Sequence, residues 1–194
     1  MLAKSFQRIL RISYRPALQR LLSEKRAIGT ESLDGGTMEL EDSVASFLSS
    51  KVMIIAATRD QTLKAHIGRG CGAFFDNDAG DVVLLSSASQ WPEFFACAVK
   101  GAPIAVTFVE PSSYKAIQVK GQINQVVPAT SEQRERAARY IEQMLPLMAG
   151  LGVNRLQLST VFADDALAAI RFWPADLFVQ TPGPSAGEPM RRIG

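Results

Sequence analysis

The chain has 194 residues, of which 47% are apolar and 21% charged. This is the composition of an ordinary globular protein, and the length fits one domain with or without an arm. Its two cysteines, Cys71 and Cys97, form neither a disulfide framework nor a CxxC pair, which is typical of a reducing compartment and predicts a cytoplasmic protein. No apolar run approaches the ~20 residues that span a bilayer.

The net charge of +2 conceals an uneven distribution. Residues 1–26 carry seven Lys or Arg against one Glu, whereas the remaining residues carry 14 basic against 18 acidic side chains. The mildly acidic body argues against a nucleic-acid-binding core. Apolar residues at helical spacing predict a basic amphipathic arm over residues 1–27. This arm is interpreted as a helix that packs on the body or on a second subunit, with a membrane-surface helix or a transit peptide as the alternatives.

Residues 38–180 are predicted to form one domain of short strands joined by turns, with helices inserted between them. Apolar or alternating runs predict the strands, at residues 52–58, 65–75, 82–86, 104–109, 114–126, 156–162 and 166–173. Helices are predicted at 40–50, at 89–100 behind a Ser89 cap, and from the Thr130–Gln133 capping box to Gly150. Regular strand–helix alternation is missing, which favours a small antiparallel barrel, mainly β with added helices, over a parallel sheet. The Pro- and Gly-rich tail, 181–194, is predicted to be extended or loosely ordered.

Side-chain catalysis has little support in the sequence. The chain has one histidine, His66, and no GxSxG, HExxH or CxxC motif. His66 and Cys71 are separated by an odd number of residues on a predicted strand, so their side chains point to opposite faces and make a poor metal pair. We therefore predict no catalytic side chain and no metal site.

The stretch HIGRGCG places Gly68, Gly70 and Gly72 on one face of a predicted strand. A strand and a hairpin turn follow the glycines where a dinucleotide fingerprint requires a helix, so the Rossmann interpretation is rejected. Two interpretations remain open. The bare positions give a planar cofactor close access to the main chain, or they are bends and bulges of a barrel.

A phosphate group needs an arginine, hydroxyl groups and free N–H groups. Arg69 supplies the first, and Ser86, Ser87 and Ser89 lie directly before the predicted helix over 89–100. The alternative is that these serines only cap the helix. The residues by themselves do not decide between the two interpretations.

Residues 48–123 resemble the FMN-binding split-barrel superfamily, the pyridoxamine-5′-phosphate-oxidase-like proteins. The resemblance rests on a helix, then VMIIAATRDQTLKAHIGRGCG, then DVVLLSS, then a second helix, then KGAPIAVTFVEPSSYKAIQVKGQI. The last block is the most specific, because it combines a strand, a Pro/Ser turn, a tyrosine and a strand that ends in VKG.

The resemblance implies a homodimer of six-stranded antiparallel split barrels with two FMN sites at the subunit interface. It implies a flavin-dependent oxidoreductase that acts on a small-molecule substrate. The phosphate is then held by Arg69, Ser86, Ser87 and Gln90. The ring lies along Ile67, Gly68, Arg69 and Gly70. Side chains that approach the ring are Lys115, Gln118 and Trp173.

The sequence also departs from the pattern of the family. The pyridoxamine oxidases carry a Ser-x-Lys after the third strand, where this chain has SSASQ, and their C-terminal Arg-x-His motif is missing. True pyridoxamine 5′-phosphate oxidase activity is therefore not expected. Relatives with this fold also bind heme or a deazaflavin. The alternative function is a non-enzymatic ligand-binding or sensor dimer, for heme with His66 as an axial ligand.

Overall fold

The computed structural model describes residues 41–154, 157–158 and 161–190. The predicted basic arm, 1–27, lies outside the described residues, as do the last four residues of the tail. Within the described residues, no helix is both long enough and apolar enough to cross a membrane.

The described chain is mainly antiparallel β-sheet with three helices whose ends are both described, as predicted for the fold class. The helices are α1 (Asp42–Leu48), α2 (Pro92–Cys97) and α3 (Ser131–Gly150). The strands are β1 (Met53–Arg59), β2 (Ala65–Gly70), β3 (Ala73–Asp76), β4 (Asp81–Ser87), β5 (Pro103–Val109), β6 (Ala116–Pro128) and β7 (Leu167–Val179). Every neighbouring pair is antiparallel, in the order β2-β1-β5-β6-β7-β4-β3.

Of the predicted six-stranded antiparallel split barrel, the antiparallel β class with added helices is confirmed, whereas the number of strands and the closure of the sheet differ. The sheet has seven strands, because the strand predicted over 65–75 breaks at Cys71 and Gly72. β2 pairs with β1 and β3 pairs with β4, so the chain changes its partner strand at the break. Gly72 has φ +147°, which favours glycine. No strand ladder joins β2 to β4 in the described part of the chain, so the sheet does not close.

Two main-chain hydrogen bonds hold the break against β4. The Cys71 N–H donates to the Leu85 carbonyl at 2.8 Å, and the Leu85 N–H donates to the Gly72 carbonyl at 2.9 Å. The buried Ser86 hydroxyl adds a third bond to the Arg69 carbonyl at 2.8 Å. These bonds bring the end of β2 beside the end of β4.

The strand predicted over 156–162 is absent at the residues of this segment that the structure describes, 157–158 and 161–162. Gln157 and Leu158 are helical. Asn154 and Gln157 form a reciprocal cap, in which each main-chain N–H donates to the other side chain, at 2.9 and 3.0 Å. This local cap outweighs the apolar pattern that predicts a strand.

The two faces of the sheet differ sharply along β1, β2, β5 and β6. Directly opposed residues in a sheet share a face. One cross-strand row, formed by Gly68, Ala56, Val106 and Val119, is fully buried and belongs to the core. A row on the opposite face, which we call the outer row, consists of Arg69, Ile55, Thr107, Gln118 and Phe178.

Close packing explains two of the bare positions in HIGRGCG. A Cβ atom on Gly68 would lie 2.8 Å from a ring carbon of Phe94, which α2 places over β2. A Cβ atom on Gly70 would lie 2.6 Å from Leu84 Cδ1 and 2.8 Å from Ile54 Cγ2. The side of β2 on which these glycines lie is therefore filled by apolar side chains of the same chain.

The tail up to Met190 folds back on β7, where the sequence predicts an extended or loosely ordered segment. The Val179 N–H donates to the Glu188 carbonyl at 3.0 Å, and the Gly187 N–H donates to the Val179 carbonyl at 2.7 Å. Thr181 Oγ1 accepts a bond from the Ala116 N–H at 3.0 Å. The tail therefore contacts the start of β6 and the end of β7.

A charged cluster ties the β3–β4 hairpin to β7. Arg171 donates to Asp76 at 2.6 Å and to Asp81 at 3.0 Å. Asp81 is almost fully buried and also accepts a bond from Asn124 Nδ2 at 2.8 Å. The hydrogen bond from Arg171 is the main cause that lowers the pKa of Asp76.

Replacement of Gly70 by alanine is expected to lower the free energy of unfolding by about 1–3 kcal/mol, because the added methyl group overpacks the core beside Leu84 and Ile54. The matched control is Gly150→Ala at the end of α3, where a Cβ atom meets nothing within 4 Å. The control should leave stability unchanged or slightly raised. Urea unfolding measures both variants, and an unchanged midpoint for Gly70→Ala contradicts the packing argument.

Replacement of Arg171 by methionine is expected to cost about 3 kcal/mol at pH 7, because it leaves the buried Asp81 without its cation. The exposed pair Arg139–Glu135 supplies the control, and Arg139→Met should change stability by less than about 0.5 kcal/mol. In the folded state Arg171 holds the pKa of Asp76 below its ordinary value of 3.8. Near pH 3.8 the unfolded chain therefore binds more protons than the folded chain. The advantage of the wild type should therefore be full above pH 3.8 and shrink as the pH falls further, in unfolding curves measured at several pH values.

Candidate functional site

The outer row contains an unpaired buried amide. Gln118 is 8% exposed, and its Nε2 donates to Thr107 Oγ1 at 2.9 Å. Its Oε1 is buried with no hydrogen-bond partner among the described residues. If the amide is turned over, Oε1 accepts from the Thr107 hydroxyl and Nε2 becomes the unpaired atom, so one polar atom of Gln118 lacks a partner in either orientation. Such a group costs about 1–3 kcal/mol unless something binds it.

Arg69 lies at the end of the outer row, on the edge strand β2. Its side chain is half-buried, on the face opposite to Gly68 and Gly70. The register of β2 against β1 is continuous from Ala65 to Gly70, so no bulge turns Arg69 toward the glycine side. A flat ligand therefore has to approach β2 from the face of Arg69 and Ile67, of which Ile67 is 42% exposed.

The serines predicted to hold a phosphate already have partners. Ser86 is fully buried and donates to the Arg69 carbonyl at 2.8 Å. Ser87 Oγ lies 3.0 Å from Ser89 Oγ and 3.3 Å from Asp165 Oδ1. The Ser89 hydroxyl donates to Asp165 Oδ2, and this bond is the main cause that lowers the pKa of Asp165.

The phosphate of FMN does not fit this arrangement. Ser87 and Ser89 face a carboxylate that keeps its charge, and a phosphate bound there would meet the same charge. The helix that follows, α2, has six residues and begins at Pro92. Before it, the main-chain N–H of Gln90 donates to Ser87 Oγ at 3.3 Å. The serine hydroxyls predicted to hold the phosphate are thus bonded within the chain.

Gln90 Oε1 and Trp91 Nε1 are two further buried atoms that lack a hydrogen-bond partner among the described residues. They are adjacent in sequence, and they follow directly on the serines. One is an acceptor and the other a donor. Gln90 is one of the predicted site residues, whereas no sequence pattern singles out Trp91.

The structure does not bring Lys115 and Trp173 to the outer row. Lys115 Nζ lies over the Phe47 ring at 5.1 Å, next to α1. Trp173 is 54% exposed and is paired with Gln122. Gln122 is four residues from Gln118 along β6, or roughly 13 Å at the rise of a strand.

His66 is held between two carboxylates. Nε2 lies 3.2 Å from Asp60 Oδ2, and Nδ1 lies 3.4 Å from Glu93 Oε2. Hydrogen bonds, first from the Thr62 hydroxyl and then from His66 among others, lower the pKa of Asp60 to about 2. An iron ligand at either ring nitrogen would have to displace one of these contacts, so the arrangement does not favour His66 as an axial ligand.

Two buried ionisable groups, Cys71 and Tyr140, are unreactive at neutral pH. Burial raises the pKa of the Cys71 thiol to about 12, and Cys71 is 2% exposed. Burial also raises the pKa of Tyr140, whose hydroxyl donates to the Val52 carbonyl at 2.7 Å. Neither group is suited to act as a nucleophile or a base at neutral pH.

In the native protein, we expect Cys97 to react readily with a thiol reagent such as DTNB, and Cys71 to react roughly two orders of magnitude more slowly, because its thiol is buried and protonated. Cys97→Ser should abolish the fast phase. Unfolding in guanidinium should expose both thiols. A fast phase that survives in Cys97→Ser would show that Cys71 is accessible.

No known family model matches the chain, and no curated protein sequence matches it. Solved structures do show similarity. A candidate pyridoxamine 5′-phosphate oxidase of Lactobacillus delbrueckii aligns at 10% identity and a TM-score of 0.44, over 77% of this chain and 100% of its own. An F420 reductase aligns at 10% identity and a TM-score of 0.43, over 71% and 98%.

The heme storage protein HutZ of Vibrio cholerae aligns at 16% identity and a TM-score of 0.40, over 73% of this chain and 95% of its own. All three TM-scores lie below 0.5.

Proposed function

We propose that the protein is a cytoplasmic homodimer that binds a flavin and acts as an oxidoreductase on a small molecule. The observation that carries this proposal is the unpaired amide of Gln118 in the outer row. A buried polar atom without a partner is costly in a structure, and a bound ligand removes that cost.

The chemistry of the flavin ring suits this amide. The isoalloxazine ring is planar, and its pyrimidine edge offers one N–H donor between two carbonyl acceptors. Gln118 can pair with that edge in either amide orientation. Thr107 and Phe178 flank the amide along the same row, and because both are half-buried they provide a partly apolar surface for a ring.

When bound, the flavin supplies the electron-transfer chemistry. The residues of the chain bind the ring, orient it and exclude water. The guanidinium of Arg69, in the outer row, adds a positive charge on the same face of the sheet. This chemistry needs no acid or base from the side chains of the described residues. It is therefore compatible with Cys71 and Tyr140 being buried and protonated at neutral pH. A true pyridoxamine 5′-phosphate oxidase is not proposed, because the two motifs named above are missing.

A second copy of the chain would cover the outer face. β5 alternates regularly, with Ile104, Val106 and Phe108 buried and the intervening residues half-buried. The half-buried positions of β5 are Pro103, Ala105, Thr107 and Val109. Small and apolar residues on a flat face suit a two-fold contact, in which the same patch of both subunits meets. Lys115 and Trp173 then reach a ring from the partner rather than from the same subunit.

The test is Gln118→Leu, with Gln122→Leu as the matched control on the same strand. Gln118→Leu should lower the affinity for riboflavin and FMN about tenfold, or ~1.4 kcal/mol. It should leave the free energy of unfolding unchanged or raise it by up to about 1 kcal/mol, because it removes a buried unpaired amide. Gln122 is exposed, so its replacement should change neither quantity. Quenching of flavin fluorescence measures binding, and urea unfolding measures stability.

Equal flavin affinity in Gln118→Leu and the wild type would contradict the assignment of the ring site. Failure of the wild type to quench either flavin would overturn the proposed function. Sedimentation of the wild type as a monomer in the presence of flavin would overturn the proposed dimer.

A further inference from the structure

The loop before β7 presses a carboxylate onto the serine hydroxyls at the end of β4. Ala166 has φ +46°, a left-handed conformation that a non-glycine residue adopts at a cost. The Ala88 N–H donates to the Ala166 carbonyl at 3.1 Å and fastens the loop to the segment between Ser87 and Ser89. The strained turn therefore positions Asp165 at the two hydroxyls.

This contact leaves the serines without protons for a ligand. A hydroxyl has one proton to donate and two lone pairs that accept. Ser87 and Ser89 both donate to Asp165, and their remaining capacity is as acceptors. Together with the Asp165 carboxylate, they form a group rich in acceptors and carrying negative charge, which repels an anion.

Gln90 adds an independent observation. Its Oε1 is a buried acceptor without a partner, and its N–H is bonded to Ser87 Oγ, so the residue adjoins the same group. If the amide of Gln90 is turned over, the unpaired atom is the donor Nε2, so a group that both donates and accepts satisfies it in either orientation. A hydroxyl group of a neutral polyol chain does both, whereas a phosphate adds negative charge beside Asp165.

We propose that Asp165 is a built-in anion that occupies the position predicted for a ligand phosphate, and that the protein selects a flavin with an uncharged polyol chain over its phosphorylated form. This inference rests on the proposed function, because it concerns the far end of the same ligand. The family resemblance predicts FMN, and the contacts of Asp165 favour riboflavin.

The experiment compares riboflavin and FMN as probes, by quenching of flavin fluorescence and by equilibrium dialysis. The wild type should bind riboflavin at least tenfold more tightly than FMN. Asp165→Asn removes the charge at nearly constant shape, and it should raise the affinity for FMN about tenfold while it changes that for riboflavin less than threefold. Asp164→Asn, an exposed neighbour with the same change in net charge, is the matched control and should change neither.

A second measurement needs no variant. Salt screens the repulsion between the exposed Asp165 carboxylate and the FMN phosphate. The ratio of the wild type's Kd for FMN to its Kd for riboflavin should therefore fall as the ionic strength rises from about 0.05 to about 0.5 M. This measurement keeps the inference testable if Asp165→Asn does not fold.

The outcomes separate the two proposals. Tighter binding of FMN than of riboflavin by the wild type, with no effect of Asp165→Asn, overturns the role of Asp165 and leaves the flavin site standing. A preference for riboflavin that is independent of salt and of Asp165 also overturns that role. Binding of neither flavin overturns the proposed function itself.

Discussion

The change of partner strand at Cys71 and Gly72 is the constraint on which the rest of the structure depends. At this point the chain leaves β1 and joins β4, and two main-chain hydrogen bonds to Leu85 hold it there. The end of β2 and the end of β4 therefore meet, although they are separate in the strand order. The bond from Ser86 to the Arg69 carbonyl is a direct result. The contact places Arg69, at the end of the outer row, beside the serines at the end of β4, whereas Gln118 lies on β6.

The outer row and the segment after β4 differ in which polar groups lack a hydrogen-bond partner. The outer row has one unpaired amide atom, at Gln118, in a surface that is otherwise satisfied or apolar. The segment after β4 has its hydroxyl donors occupied by Asp165 and one unpaired amide atom at Gln90. The flavin with a neutral polyol chain that we propose would supply a polar partner to both amides, whereas an anionic group would meet the negative charge of Asp165.

Local signals in the sequence were reliable where the interaction is local. The capping box of Thr130 and Gln133 is present as predicted, with both reciprocal bonds formed. The apolar pattern predicts a strand over 156–162, whereas a second local cap, Asn154 with Gln157, favours a helix at Gln157 and Leu158. The strand over 65–75 failed for a different reason: the pairing of each half depends on strands far along the chain.

The amino-acid sequence by itself determined the antiparallel β class, most strands and helices, and the resemblance that points to a flavin, since alternation, caps and motif order are properties of neighbouring residues. The tertiary structure decided what the glycines and serines do. Gly68 is bare because Phe94 lies over it, and Ser89 is occupied because Asp165, 76 positions later, folds onto it. Contacts between distant residues leave no trace in local spacing, and they determine which groups remain available to a ligand.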